Sequence, residues 1–196
     1  YNIKNGKRLW QFSVQRRIVG DCAAENGIVV FGSADSTVYG VSSANGKMIG
    51  KLKTQGPVLG AVRIVNGLAY IGASDNKMRC IDTKTGKEVW EYSGVTGYIV
   101  TRPLVTDGKV IFGAWDNTLY ALDASNGSEV WKWKGGKDGM HFSPASAWPV
   151  SANGKVFIAA PDRYLTAIDL KTGSTVWRTN ASMVRESIGM SEDGKT

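Results

Sequence analysis

Glycines punctuate this 196-residue chain with a beat of about 40 residues. Gly6, Gly46, Gly86, Gly127 and Gly173 follow one another at intervals of 40, 40, 41 and 46 residues. A second set, Gly27, Gly67, Gly108, Gly154 and Gly194, keeps the same time at 40, 41, 46 and 40. Tryptophan stands four residues after four members of the first set, at Trp10, Trp90, Trp131 and Trp177; Gly46 is followed at that distance by Gly50. Aspartate stands eleven before four of them, at Asp35, Asp75, Asp116 and Asp162, and four before at Asp82, Asp123 and Asp169, with Ser42 and Asn2 in the weaker copies. A repeat of this length means supersecondary units that cannot bury their apolar faces alone and must stack on one another.

The unit reads most clearly over residues 108–134, where short alternating runs rich in Val, Ile, Tyr and Trp lie between turn residues. That is the signature of strands and hairpins. It predicts strands at Val110–Phe112, Thr118–Leu122 and Glu129–Lys134, with a fourth before them, for example Ile99 to Val105. No segment carries a convincing 3.6-residue apolar period, so no substantial helix is expected. Four short antiparallel strands per repeat describe a blade, and the chain is expected to be an all-β propeller. About four complete blades are expected, with partial blades at both termini, in a single domain spanning residues 1–196. The recurrent Trp is expected to pack from an outer strand onto the neighbouring blade, because an indole buries a large apolar area. Asp82, Asp123 and Asp169 are expected to accept hydrogen bonds from turn amides, with the glycine after them supplying a positive φ.

Composition narrows the classes of function. Hydrophobic residues make up 42% and charged residues 21%, which excludes a disordered chain. No apolar stretch approaches the roughly 18 residues of a membrane-spanning helix, so direct membrane insertion is not expected. Tyr1 to Lys4 has neither a charged start nor an apolar run, so no signal peptide is read there; a start at Tyr means either a processed protein or an excised piece, and either leaves the original address open. The formal charge is +7. Many lysines flank turn glycines and no block of like charge occurs, so no nucleic-acid partner is expected. Cys22 and Cys80 are too few for a disulfide framework and too far apart for a metal knuckle. His141 is the sole histidine, which leaves little for a catalytic triad or a multi-histidine metal site.

The run Ala-Leu-Asp-Ala-Ser-Asn-Gly-Ser-Glu-Val-Trp at 121–131 resembles the tryptophan-docking motif of PQQ-type propeller repeats, and 80–90 and 167–177 match it about as well. The resemblance covers practically the whole chain. It implies one of several roles: quinoprotein dehydrogenase with pyrroloquinoline quinone and calcium, BamB-like scaffold of outer-membrane assembly, or sensor domain. It also implies a ring of seven or eight blades, of which this chain would be a fragment. The nearly bare period is closer in style to the BamB-like group, whereas quinoproteins of the family carry long insertions, a vicinal cysteine pair and a calcium site of Glu, Asn and Asp. Cys22 and Cys80 are not vicinal, and the aspartates at 35, 75, 116 and 162 recur at one hairpin position that turn chemistry explains. The expectation is therefore a non-enzymatic protein-binding propeller without cofactor, at the periplasmic or extracellular face of a bacterial envelope. Part of a quinone-dependent dehydrogenase is the alternative.

One irregularity marks a candidate contact region. The period lengthens between Gly127 and Gly173, and the positions kept by Trp131 and Pro149 confine the extra residues to about 134–147. This segment joins one blade to the next and brings Lys137, Met140, His141 and Phe142. It is either a binding loop or a neutral surface insertion, since loop length costs little stability. Arg16, Arg17, Arg102 and Arg185 fall in the same class of connection and either ring the mouth of the central channel or are scattered solvated charges. A partner protein is expected on these loops or along an exposed blade edge.

Overall fold

A computed structural model describes residues 1–135 and 143–180. Its described residues contain four four-stranded antiparallel sheets, each a simple meander in chain order. Blade I comprises β1 (Ala23–Glu25), β2 (Ile28–Ser33), β3 (Thr37–Ser42) and β4 (Met48–Lys53). Blade II comprises β5 (Arg63–Val65), β6 (Leu68–Gly72), β7 (Met78–Asp82) and β8 (Glu88–Tyr92). Blade III comprises β9 (Leu104–Thr106), β10 (Lys109–Ala114), β11 (Thr118–Asp123) and β12 (Glu129–Lys134). Blade IV comprises β13 (Val150–Ala152), β14 (Lys155–Ala160), β15 (Tyr164–Asp169) and β16 (Thr175–Asn180). The short first strands of successive blades touch one another, β1 with β5, β5 with β9 and β9 with β13. They line the axis, while the last strands face outward and are largely exposed in β4 and β16. This is the β-propeller architecture that the repeat predicts, and one short 3-10 turn, Pro144–Ser146, is the helical element among the described residues.

The core lies between blades, not inside them. Val30, Val38, Ile71 and Ile81 pack between blades I and II; Tyr70, Met78, Phe112 and Leu122 between II and III; Ile111, Leu119, Ile158 and Ile168 between III and IV. Strand side chains alternate between faces, so Val110 and Phe112 of β10 serve one junction while Ile111 serves the next. Both faces of the inner blades are thereby covered.

Turn chemistry sets the meander. The β1–β2 type of hairpin closes on Asn26-Gly27 (φ 50 and 79), Asn66-Gly67 (53 and 77), Asp107-Gly108 (47 and 68) and Asn153-Gly154 (50 and 69). Two successive positive φ values are the mark of the type I′ turn, whose twist suits paired strands. In the β3–β4 type of turn Asp82 Oδ1 accepts from the Lys84 and Thr85 amides (3.0 and 2.7 Å), and Asp169 Oδ1 from the Lys171 and Thr172 amides (3.0 and 2.8 Å). These amides hold both carboxyls below the ordinary carboxylate range. Asp123 does the same work with the Ser125 amide (2.8 Å).

Two expectations about strands need correction. Ile99 to Pro103 are not strand: β9 starts at Leu104. Ile99 instead lies directly across Gly72 of β6, where a methyl group would sit 2.1 Å from its Cγ2. The segment before β9 is therefore a crossing that wedges blade III against blade II, and a side chain at 72 would block it. The Gly72→Ala variant is expected to lose about 1–3 kcal/mol by overpacking, read as a lowered midpoint in urea. Gly40→Ala, whose added methyl would have nothing closer than 3.8 Å, is expected to stay near wild type. The second correction concerns residues 1–22, which hold no strand. The expected turn is present, with Gly6 N–H donating to Asn2 O at 2.8 Å as Gly86 N–H does to Asp82 O. The expected inner piece at 187–195 lies outside the described residues.

Candidate functional site

In each blade the β2–β3 hairpin and the blade-to-blade connection emerge at the same end of the propeller. The hairpin aspartates tie the two together. Asp75 Oδ2 accepts from the Gln55 amide at 3.1 Å, and Asp116 Oδ2 from the Thr96 amide at 3.0 Å, each reaching the incoming connection. The partner on the hairpin's own blade lies four residues on: the Tyr39 hydroxyl donates to Asp35 (2.9 Å), Arg79 to Asp75 (2.6 and 3.0 Å), the Tyr120 hydroxyl to Asp116 (2.6 Å). In blade IV Arg178 of β16 reaches Asp162 at 2.5 Å instead. Burial disfavours the ionised form of Asp116, yet the bonds from Tyr120 and Thr96 hold its carboxyl below the usual range. Asp75 and Asp116 thus fasten hairpins to connections, while Asp35 and Asp162 bond within their own blades.

Arg79 is the residue that sequence reasoning missed. Its side chain is 4% exposed and joins Asp75, Glu88 (3.3 Å) and Glu91 (2.9 Å). The signal was available: an arginine occupies the position that tyrosine fills at 39 and 120, with acidic residues at 88 and 91 on the neighbouring strand.

The connection face keeps its acidic groups occupied internally and turns cationic and apolar groups outward. Arg16 and Arg17 are exposed and line a shallow basin with Ala34, Pro57 and Leu59. Their backbone is anchored, since Arg17 O accepts from the Ala34 amide at 3.0 Å. Arg102 lies over the Trp148 ring, 5.6 Å from its centre. Both stand six residues before a second-set glycine, Gly108 and Gly154, so the pair couples the same position of adjacent blades. Arg16 and Arg17 thus share one basin, and Arg102 rests on Trp148. Lys137, Met140, His141, Phe142 and Arg185 lie outside the described residues. The described end of the 134–147 segment is anchored, not open: Ser143 is buried and donates to Ala114 O at 2.5 Å, and Thr101 donates to Ala147 O at 3.0 Å.

Three indoles bridge successive units. Trp10 Nε1 donates to Ser43 O (2.8 Å), Trp90 to Ala124 O (3.0 Å) and Trp131 to Leu170 O (3.0 Å). Trp177 of the last described strand is 39% exposed.

The described residues do not fit a quinone and calcium site. Cys22 is exposed and precedes blade I, while Cys80 is buried in blade II with its thiol pushed up to about 11 by desolvation. No group of three or more His, Cys, Asp or Glu among the described residues is placed to hold a metal ion. Among the same residues no helix is long and apolar enough to cross a membrane.

A family model described as outer membrane protein assembly factor BamB matches residues 1–98 and again residues 76–192. The chain belongs to the BamB family of PQQ-type repeat propellers. BamB from Moraxella catarrhalis is a solved structure similar to it, with a TM-score of 0.77 and 19% identity over 94% of this chain and 56% of that one. The quinohemoprotein alcohol dehydrogenase ADHIIG from Pseudomonas putida HK5 follows at 0.72 and 18%, over 88% of this chain and 35% of that one. The computationally designed Ika4 protein gives 0.72 and 22%, over 84% of this chain and 99% of that one. At such identities the likeness concerns the fold. The chain spans little more than half the length of the Moraxella BamB. No curated protein matches it.

Proposed function

We propose that the chain is a non-enzymatic, BamB-like protein-interaction scaffold of the bacterial cell envelope, working at its periplasmic or extracellular face as part of a ring of seven or eight blades. The observation that carries this reading is the connection face. There Asp75 and Asp116 are tied to the connections, Arg16 and Arg17 are presented on anchored backbone, and Arg102 lies on the Trp148 ring. Arginine and tryptophan are the residue types that dominate interaction hot spots, and a fixed backbone spares the partner their ordering cost.

Two measurements test the proposal. Photo-crosslinkers placed at Pro57 and Trp148 are expected to trap the same envelope protein, and trapping is expected to fall at least tenfold in the Arg16→Ala/Arg17→Ala/Arg102→Ala variant and after shortening 134–147 to the length of the connection after Trp90. Titration of the chain with pyrroloquinoline quinone and calcium is expected to give no saturable absorbance change and no dye reduction. Saturable quinone binding with dye reduction would replace the scaffold by the dehydrogenase reading.

A further inference from the structure

The junction between blades I and II repeats the geometry of its neighbours but lacks their ring. At the filled junctions the indole donates to the carbonyl three residues before a turn glycine and lies across that glycine. A Cβ on Gly46 would meet the Trp10 ring at 2.6 Å, on Gly127 the Trp90 ring at 2.7 Å, and on Gly173 the Trp131 ring at 2.7 Å. The corresponding residues here are Gly50 for the tryptophan, Thr83 for the acceptor and Gly86 for the turn glycine.

Nothing in the backbone calls for glycine at 50. Its φ is not among the positive values, and an added Cβ would have the Gly86 Cα, at 3.7 Å, as its nearest neighbour. Its partner across the β3–β4 ladder is Gly40, where Cys80 and Ala121 face Trp90 and Trp131. What is left is a solvent-open recess lined mainly by Val38, Tyr39, Leu52, Ile81, Thr83 and Gly86. These positions correspond to those that clasp an indole elsewhere in the chain, Thr83 being the counterpart of Ser43, Ala124 and Leu170, whose carbonyls accept from an indole N–H.

We infer that this slot is a binding site for a tryptophan side chain presented by a partner polypeptide. The choice of occupant rests on complementarity: the slot matches a flat apolar ring with one N–H donor, and the same chain satisfies that arrangement with indole three times over. An N–H-bearing ring is favoured over an aliphatic side chain because at each filled junction the carbonyl at this position, of Ser43, Ala124 or Leu170, accepts from an indole N–H. β4 faces outward, so the slot is reached from the rim of the propeller. The inference deepens the scaffold reading and rests on it, while its test does not involve the quinone titration that decides that reading.

The test uses the isotopically labelled whole chain and three probes: N-acetyl-tryptophanamide, free indole and N-acetyl-leucinamide. The tryptophan amide is expected to shift the Gly50, Lys84 and Gly86 amide resonances saturably, with the leucine amide at least tenfold weaker. Gly50→Leu, which occupies the slot, is expected to weaken binding at least tenfold with circular dichroism unchanged. Gly50→Trp is expected to abolish binding, raise the melting temperature, and show blue-shifted emission from the added indole. Equal binding by the leucine amide, binding of free indole alone, shifts that survive both substitutions, or a Gly50→Trp indole that emits as though in water would each overturn the assignment.

Discussion

Replacing Trp131 by alanine is expected to cost about 3–5 kcal/mol, the range for deleting a large buried aromatic. Trp131 is 6% exposed, belongs to the apolar cluster between blades III and IV, and bonds Leu170 O through its N–H at 3.0 Å. The alanine variant opens a cavity and leaves that carbonyl without its donor. Trp131→Phe separates the two losses, since it keeps most of the apolar contact and gives up the hydrogen bond, a loss of about 1 kcal/mol for the bond itself. Urea denaturation followed by circular dichroism measures both. An alanine variant within 1 kcal/mol of wild type would mean that the indole does not hold these blades together.

The second large effect is expected at Arg79. Arg79→Met leaves Asp75, 4% exposed, without its cationic partner, and breaking a buried pair from one side costs about 3–5 kcal/mol. Its pH dependence has a definite sign. In the wild type burial opposes ionisation of Asp75, but the bonds from Arg79 and the Gln55 amide prevail and hold its pKa down. A carboxyl whose folded pKa is depressed stabilises fully above the unfolded value of about 3.9 and loses that contribution as pH falls through the folded value. Without Arg79 desolvation prevails and the sign reverses: the buried carboxyl is easier to keep protonated, so the variant gains stability as pH falls toward 4. The gap between the two proteins is thus expected to narrow from pH 7 to pH 4.5, in urea midpoints measured at both. A gap that stays constant would place the cost elsewhere than in the charge on Asp75.

What was legible in the sequence is what repeats. The Asn-Gly and Asp-Gly turns, the four-strand unit and the recurrent aspartates come from local chemistry applied again and again, and one copy corroborates the next. What was hidden depends on two residues meeting across a junction. Ile99 reads as strand because its neighbours alternate, and only its approach to Gly72 shows why the chain crosses there instead of pairing. Arg102 reads in the sequence as a connection charge, and its place over the Trp148 ring shows only in the fold. Arg79 was hidden differently: it breaks the pattern by one residue, and a periodic reading averages such departures away.

Because the apolar clusters sit at junctions, the array behaves as a row of like elements held by nearest-neighbour bonds, and those bonds are unequal. Blade III is clasped on both sides by buried indoles, Trp90 before it and Trp131 after it. The seam between blades I and II holds no indole: valine, isoleucine, alanine and leucine fill it, and the Gly67 amide donates to Glu25 across it. Under a load that peels the array from its first blade, or in slow hydrogen exchange, that seam is the weak link, and the propeller parts there before it parts anywhere within blades II to IV.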